Sequence, residues 1–89
     1  MARFRIFVTA NFSRQHSALS KNVQNDVERT ILLLSDSGHH REIDVHKLHG
    51  RLQGMYSCSV NFKYRIVFEY LEANRVVLNG VGDHDVYKM

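Results

Sequence analysis

The sequence predicts a small α+β fold in which an N-terminal strand is followed by two helices packed on one face and then by a three-stranded antiparallel meander. Apolar residues alternate near the N-terminus, recur at helical spacing over the next stretch, and alternate again in the second half. Because two consecutive helices can cover only one face of a small sheet, we expect the other face to be open to solvent. A chain of 89 residues has room for one core, so residues 1–89 are expected to form a single domain.

The first half of the chain predicts the strand and the two helices. Three alternating apolar residues indicate the strand: Phe4, Ile6 and Val8. Asn11 or Ser13 can cap a short helix, and Ser20 can cap a longer one. The longer helix carries a continuous apolar stripe of Val23, Val27, Ile31 and Leu34. Gly38 is expected to close this unit.

The second half predicts the meander. Residues 39–53 are polar and rich in His, and we interpret them as a loop with no more than one short strand. Two apolar alternations follow, with Tyr56, Cys58, Val60 and Phe62 in the first and Tyr64, Ile66, Phe68 and Tyr70 in the second. Residues 72–74 predict a tight turn in which Asn74 adopts a positive φ. The last strand is expected at residues 75–81, with Gly80 and Gly82 breaking it.

Composition restricts the partners and the compartment. Twelve Lys and Arg residues against nine Asp and Glu residues give a formal net charge of +3, which suits a nucleic acid or an acidic protein. A single cysteine, Cys58, cannot form an intramolecular disulfide, and we expect it to be a buried, inert thiol in a reducing compartment. The N-terminus lacks a signal-peptide pattern, and the longest aliphatic run, residues 31–34, is too short to cross a bilayer. We therefore expect a cytoplasmic protein without a membrane partner.

Two titratable or charged residues stand out on the face predicted to be open. Arg65 has the opposite parity to the aromatic alternation, so its planar guanidinium is available to bind phosphate, or alternatively to pair with Glu69. His84 follows the last strand, and an imidazole suits proton transfer at neutral pH, although a His near a terminus is often merely exposed. Tyr87 can stack on a base or anchor the tail in an apolar groove.

The His46 and His49 pair invites a metal interpretation. No helix is indicated at this position, and no carboxylate or thiol completes a recognisable ligand set. We therefore expect neither a metal nor another cofactor. The neighbouring residues 39–40, both His, are expected to lie in a solvated loop.

Several segments, taken in order, resemble the RelE/ParE toxin superfamily, especially its YafQ-like and YoeB-like ribonuclease branches. The segments are 4–12 (FRIFVTANF), 46–50 (HKLHG), 52–57 (LQGMYS), 64–68 (YRIVF) and 81–87 (VGDHDVY). The resemblance extends over nearly the whole chain. It implies the toxin of a toxin–antitoxin system, with mRNA, free or on the ribosome, and an acidic antitoxin as partners.

The resemblance also implies metal-independent mRNA cleavage, in which a ribose 2′-hydroxyl attacks the adjacent phosphorus. His46 matches the position of a base and His84 that of an acid, and the two roles are interchangeable; Arg65 matches the phosphate-binding residue. The implied substrate-binding residues are Lys63, Tyr87, Ser59 and His49. Ser59 stands where the YafQ-like branch tends to carry a further His, Lys63 stands where it carries Asp, and the spacing from His84 to Tyr87 is one residue shorter than in many relatives.

Two other functions stay open at this point. A ParE-like protein would inhibit DNA gyrase without cutting RNA. That branch does not depend on titratable groups at positions 46 and 84, so the presence of histidine at both positions argues against this alternative. A degenerate family member would act only as an interaction module, and the altered residues Ser59 and Lys63 motivate this alternative.

Overall fold

A computed structural model describes residues 2–88 of the chain. It contains two helices, α1 (Ala10–Ser17) and α2 (Lys21–Leu34). The strands are β1 (Arg5–Val8), β2 (His46–Lys47), β3 (Tyr56–Ser59), β4 (Arg65–Leu71) and β5 (Arg75–Gly82). Short 3₁₀ helices lie at Ser37–His39, Gly50–Leu52 and His84–Lys88, and the last of these is called the C-terminal helix below.

The strands form one mixed sheet in the order β1-β5-β4-β3-β2. Strand β1 pairs in parallel with β5, whereas the other neighbours are antiparallel. The predicted order of strand, two helices and antiparallel meander is confirmed. The short strand expected within residues 39–53 is β2, which extends the meander at its edge.

The two helix starts show which capping predictions hold. Ser20 caps α2 as predicted, since its Oγ accepts a hydrogen bond from the Val23 N–H at 3.4 Å. For α1 the prediction of Asn11 or Ser13 is wrong. The cap is Thr9, whose Oγ1 accepts from the Phe12 N–H at 3.1 Å, so the helix begins as soon as β1 ends.

Both helices pack on the aromatic face of the sheet, as predicted. The core formed there includes Phe12, Val27, Leu34, Ile66, Phe68, Val76 and Leu78. Two residues expected on this face are largely outside the core. Strand β3 ends at Ser59 and the chain turns, which leaves Phe62 95% exposed, and Val8 on the edge strand β1 is 51% exposed.

The opposite face is not open throughout, contrary to the prediction. Gly80 and Gly82 do not break the last strand, because β5 continues to Gly82 and the C-terminal helix then packs back on β4 and β5. Val86 of that helix is buried, and a side chain at Gly82 would meet its Cβ at 3.7 Å. This distance is an ordinary van der Waals contact, so the C-terminal helix lies directly against this part of the sheet. As a result Val67 on this face is fully buried.

The turn between β4 and β5 lies at residues 72–74, as predicted. Ala73 and Asn74 both have a positive φ, one residue more than predicted. Within residues 2–88, no helix has the length and apolar content needed to cross a membrane.

Candidate functional site

A cavity of about 470 Å³ lies between β2, the loop that follows it and the C-terminal helix. It is lined by His46, Leu48, His49, Arg51, Leu52 and Tyr87. Three of the residues selected from the sequence, His46, His49 and Tyr87, therefore share one cavity. Its polar lining carries one permanent positive charge, on Arg51, and two imidazoles, which suits an anionic ligand.

Tyr87 is held at this cavity by a residue of the sheet. The Tyr87 hydroxyl and the Ser57 Oγ are hydrogen bonded at 2.8 Å. Ser57 is fully buried and lies directly opposite His46 in the β2–β3 pairing, so the side chains of both point to the same face. The tyrosine thus anchors the tail and also presents its ring to the cavity.

The orientation of His46 favours one tautomer. Its Nδ1 lies 2.9 Å from the carbonyl oxygen of Asp44. Because a carbonyl only accepts, Nδ1 carries the proton in this contact, and the lone pair of the neutral ring is on Nε2. The Asp44 carboxylate lies 3.8 Å from the same Nδ1 atom. The backbone of Asp44 is in the left-handed region, with a φ of 56°.

Arg65 lies at one end of the sheet, outside the lining of the cavity. It is paired in register with Ser59 on β3 and with Gly82 on β5. Its Nη1 donates to the carbonyl oxygens of Asn61 at 2.6 Å and Tyr64 at 2.9 Å. The alternative ion pair with Glu69 is not formed in the described part of the chain, since the Glu69 carboxylate accepts from Asn79 Nδ2 at 2.9 Å instead.

His84 lies at the same end of the sheet as Arg65. It is exposed, and it follows Gly82, the partner of Arg65, by two residues. The selected residues therefore fall into two groups: a cavity group of His46, His49 and Tyr87, and a sheet-end group of Ser59, Lys63, Arg65 and His84. Since His46 opposes Ser57 while Arg65 opposes Ser59, the Cα atoms of His46 and Arg65 are separated by roughly 12 Å, from strand spacing and rise.

Sequence reasoning missed two polar residues that form or support the cavity. Arg51 lines the cavity, and Ser57 supports it through the hydrogen bond to the Tyr87 hydroxyl. The clustering of His46, Lys47, His49 and Arg51 within six residues was a signal for a cationic site. Ser57 could have been found from its parity, because it lies on the face of β3 opposite to Tyr56 and Cys58.

The structure also bears on the predictions for a metal and for the thiol. No group of three or more His, Cys, Asp or Glu side chains suited to a metal is found among residues 2–88.

Cys58 is fully buried, as predicted, and burial raises the pKa of its thiol to about 12. A thiol in this state is a core side chain rather than a nucleophile.

Several solved structures have the same architecture as this chain. The chain is similar to YafQ from Escherichia coli strain BL21(DE3), with a TM-score of 0.77, 15% identity, and coverage of 96% of this chain and 98% of that one. It is similar to YoeB in the YoeB–YefM complex from Staphylococcus aureus, with a TM-score of 0.73, 20% identity, and coverage of 93% and 99%. It is also similar to a chain of the archaeal RelE–RelB complex from Pyrococcus horikoshii OT3, with a TM-score of 0.73, 15% identity, and coverage of 91% and 94%. These likenesses define a RelE-type fold.

The family follows from the sequence profile that matches the chain. Residues 6–84 match the HigB-like toxins, described as the RelE-like toxin of the type II toxin–antitoxin system HigB. The protein belongs to this family, and the resemblance to the RelE/ParE superfamily is confirmed. No curated protein matches the chain significantly.

Proposed function

We propose that this toxin is an endoribonuclease that cleaves mRNA, most effectively on the translating ribosome, without a metal ion or another cofactor. The observation that carries the proposal is the state of His46. Its Nδ1 is bound to a backbone carbonyl, which leaves Nε2 as the acceptor, at the edge of a cavity that also contains Arg51 and Tyr87. A ring in that tautomer, with a carboxylate behind it, is equipped to act as a general base.

The reaction needs a base for the 2′-hydroxyl, an acid for the leaving oxygen and a cation that stabilises the phosphorane. His46 Nε2 takes the proton of a ribose 2′-hydroxyl, and the 2′-oxygen attacks the adjacent phosphorus. The bond from phosphorus to the 5′-oxygen breaks, and His84 donates a proton to that leaving oxygen. The products are a 2′,3′-cyclic phosphate and a 5′-hydroxyl, and the two histidines can exchange roles. Each proton transfer contributes about 10²–10⁴-fold to the rate.

Arg65 stabilises the charge that develops on the phosphorane. Its Nη1 is used by two backbone carbonyls, which fixes the plane of the guanidinium and leaves Nη2 and Nε as donors to phosphate oxygens. A preorganised donor of this kind contributes about 10²–10³-fold. The separation of roughly 12 Å between the His46 and Arg65 Cα atoms leaves space for a nucleotide between their side chains.

The remaining site residues bind the substrate. Tyr87 is proposed to stack on a base, and its hydroxyl, bonded to Ser57, keeps the ring at the cavity. Arg51 and His49 contact the phosphates of the strand that enters the cavity, and Lys63 with Ser59 contacts the strand at the end of the sheet.

A cognate acidic antitoxin is the proposed protein partner. The Pyrococcus RelE and the Staphylococcus YoeB were both solved in complexes, with RelB and YefM respectively. A net charge of +3 on this chain favours a partner of opposite charge. Action on translated mRNA would take place in the cytoplasm.

Mapping of mRNA ends tests the proposal. Purified protein is incubated with translating ribosomes, the 5′ ends of the fragments are located by primer extension, and the 3′ ends are tested for a cyclic phosphate. We expect discrete cuts by the wild-type protein that are absent with the Arg65→Ala, His84→Ala double variant. Equal cleavage by both proteins, or none by either, would overturn the proposal. Inhibition of gyrase supercoiling that survives loss of both histidines would favour the ParE-like alternative.

A further inference from the structure

The β3–β4 turn displays one fully solvent-exposed aromatic ring. Phe62 is 95% exposed, more than any other large apolar residue described as exposed. Its sequence neighbours are polar: Asn61 on one side and Lys63 on the other. The ring is therefore a single apolar group in polar surroundings rather than part of an apolar patch.

The turn is held in place by hydrogen bonds on both sides of Phe62. The Asn61 Oδ1 accepts from the backbone N–H groups of Lys63 at 2.9 Å and Tyr64 at 2.8 Å. The Val60 N–H donates to the Tyr64 carbonyl at 3.0 Å, and Arg65 donates to the carbonyls of Asn61 and Tyr64. The exposure of the ring is thus built into the backbone of the turn.

The turn is also tethered to the helical layer. The Asn61 Nδ2 donates to the Asp26 carboxylate on α2 at 3.5 Å. Phe62 cannot fold back onto the core without loss of these contacts, because the same asparagine holds the turn at both its amide oxygen and its amide nitrogen. Because the ring is already held in its exposed position, little conformational entropy is lost when a ligand covers it.

Positive charge lies beside the ring. Lys63 is exposed, with its Nζ 5.4 Å from the centroid of the Tyr64 ring, and Arg65 follows two residues later. Phe62 is also three residues from Ser59, at most about 11 Å along the chain from the sheet end where Arg65 lies. An aromatic ring with adjacent cations is the arrangement that binds single-stranded nucleic acid, by stacking on a base and pairing with its phosphates.

We propose that Phe62 is a base-stacking subsite for single-stranded RNA, which receives a nucleotide that flanks the cleaved bond, while Lys63 contacts its phosphate. This inference rests on the proposed nuclease function for its ligand and adds a residue outside the catalytic groups. A protein partner is the less favoured occupant, because the centre of a protein interface is a desolvated apolar cluster, and here the ring is alone among polar residues.

The absence of tryptophan from the chain permits a direct test. Phe62→Trp places a single tryptophan, excited selectively at wavelengths that tyrosine does not absorb, at the tip of the turn, and Leu32→Trp places one at an exposed position of α2 as the matched control. Each protein is titrated with a 12-nucleotide 2′-O-methyl RNA, which cannot be cleaved by attack of a 2′-hydroxyl. We expect quenching of the Phe62→Trp emission on binding and no change for Leu32→Trp. Quenching of neither protein, or of both equally, would overturn the proposal.

A second variant separates stacking from bulk. Phe62→Leu keeps an apolar side chain but removes the aromatic face, so we expect the affinity for the same RNA to fall about 5- to 150-fold, the range for one stacked base. Unchanged affinity with lost binding of the antitoxin would assign the ring to a protein partner and overturn the proposal. Since binding is measured with uncleavable RNA, loss of the nuclease proposal would leave these results intact. Cleavage of mRNA by the wild-type protein, together with unchanged emission of the Phe62→Trp variant on RNA binding, would refute the subsite alone.

Discussion

The hydroxyl of Tyr87 and the Oγ of Ser57 lie 2.8 Å apart and join the C-terminal helix to strand β3. This bond spans thirty positions of the chain and crosses the face of the sheet opposite to the helices. It has two consequences: the buried hydroxyl of Ser57 is satisfied, and the Tyr87 ring becomes a wall of the cavity that contains His46.

Removal of the Tyr87 hydroxyl is expected to destabilise the protein. In Tyr87→Phe the Ser57 hydroxyl stays buried without its partner, which costs about 1–3 kcal/mol of unfolding free energy. Ser57→Ala is expected to cost less, and the double variant should cost less than the sum of the two. Urea denaturation of the four proteins measures this coupling. Additive losses would mean that the two hydroxyls do not interact.

The start of helix α1 gives a prediction with a matched control in the same helix. Thr9→Ala removes the hydroxyl that accepts from the Phe12 N–H, so we expect a loss of about 1 kcal/mol in unfolding free energy. Ser13→Ala, at the position that sequence reasoning proposed as a cap, should leave stability unchanged, because this residue lies exposed inside the helix. Thermal or urea unfolding compares the two, and equal losses would contradict the assignment of the cap.

Burial of Cys58 predicts a loss of stability at high pH. Its pKa is raised to about 12 in the folded protein, from about 8.5 for an exposed thiol. Below the lower value both states are protonated and stability does not depend on this group. Between the two values the unfolded state ionises first, so the unfolding free energy falls by about 1.4 kcal/mol per pH unit.

Comparison with Cys58→Ala isolates this contribution. Other groups that titrate above pH 9, including Tyr70, whose pKa is also raised by burial, are common to both proteins and cancel in the difference. We therefore expect the unfolding free energy of the wild type, followed by urea denaturation from pH 8 to pH 11, to decrease more steeply than that of the variant. Parallel curves would show that the thiol ionises equally in both states.

Arg51 provides an electrostatic prediction. If its guanidinium contacts an RNA phosphate in the cavity, Arg51→Met should reduce the salt dependence of RNA binding by about 0.7 in the slope of log K against log salt concentration. Arg41→Met removes an equal charge from an exposed loop residue outside the cavity and should keep the slope. Binding of uncleavable RNA at several salt concentrations measures both, and equal slopes for the two variants would exclude a specific phosphate contact at Arg51.

The sequence predicted the features that local patterns encode. The cap at Ser20, the apolar stripe of α2 and the parity of Arg65 are set within a few residues, and all three are found as expected. The fold-back of the C-terminal helix depends on contact of Val86 with Gly82 and β4, and the parallel pairing of β1 with β5 joins distant segments. Such long-range contacts leave no periodic trace in the sequence.

The candidate site was predictable to a similar extent. The family resemblance selected His46, His49 and Tyr87, which line one cavity. The interruption of β3 after Ser59 is what exposes Phe62, and the alternation of apolar residues continued past that point, so it predicted a buried residue instead.

The most direct test of the nuclease proposal is the single-turnover rate of mRNA cleavage on ribosomes by His46→Gln. Loss of the base is expected to lower the rate constant by about 10²–10⁴-fold with little change in stability, since the ring is exposed. His39→Gln, which alters an exposed histidine that is bound to Glu42 and does not line the cavity, should cleave at the wild-type rate. Cleavage by His46→Gln at the wild-type rate would contradict the assignment of His46 as a catalytic group.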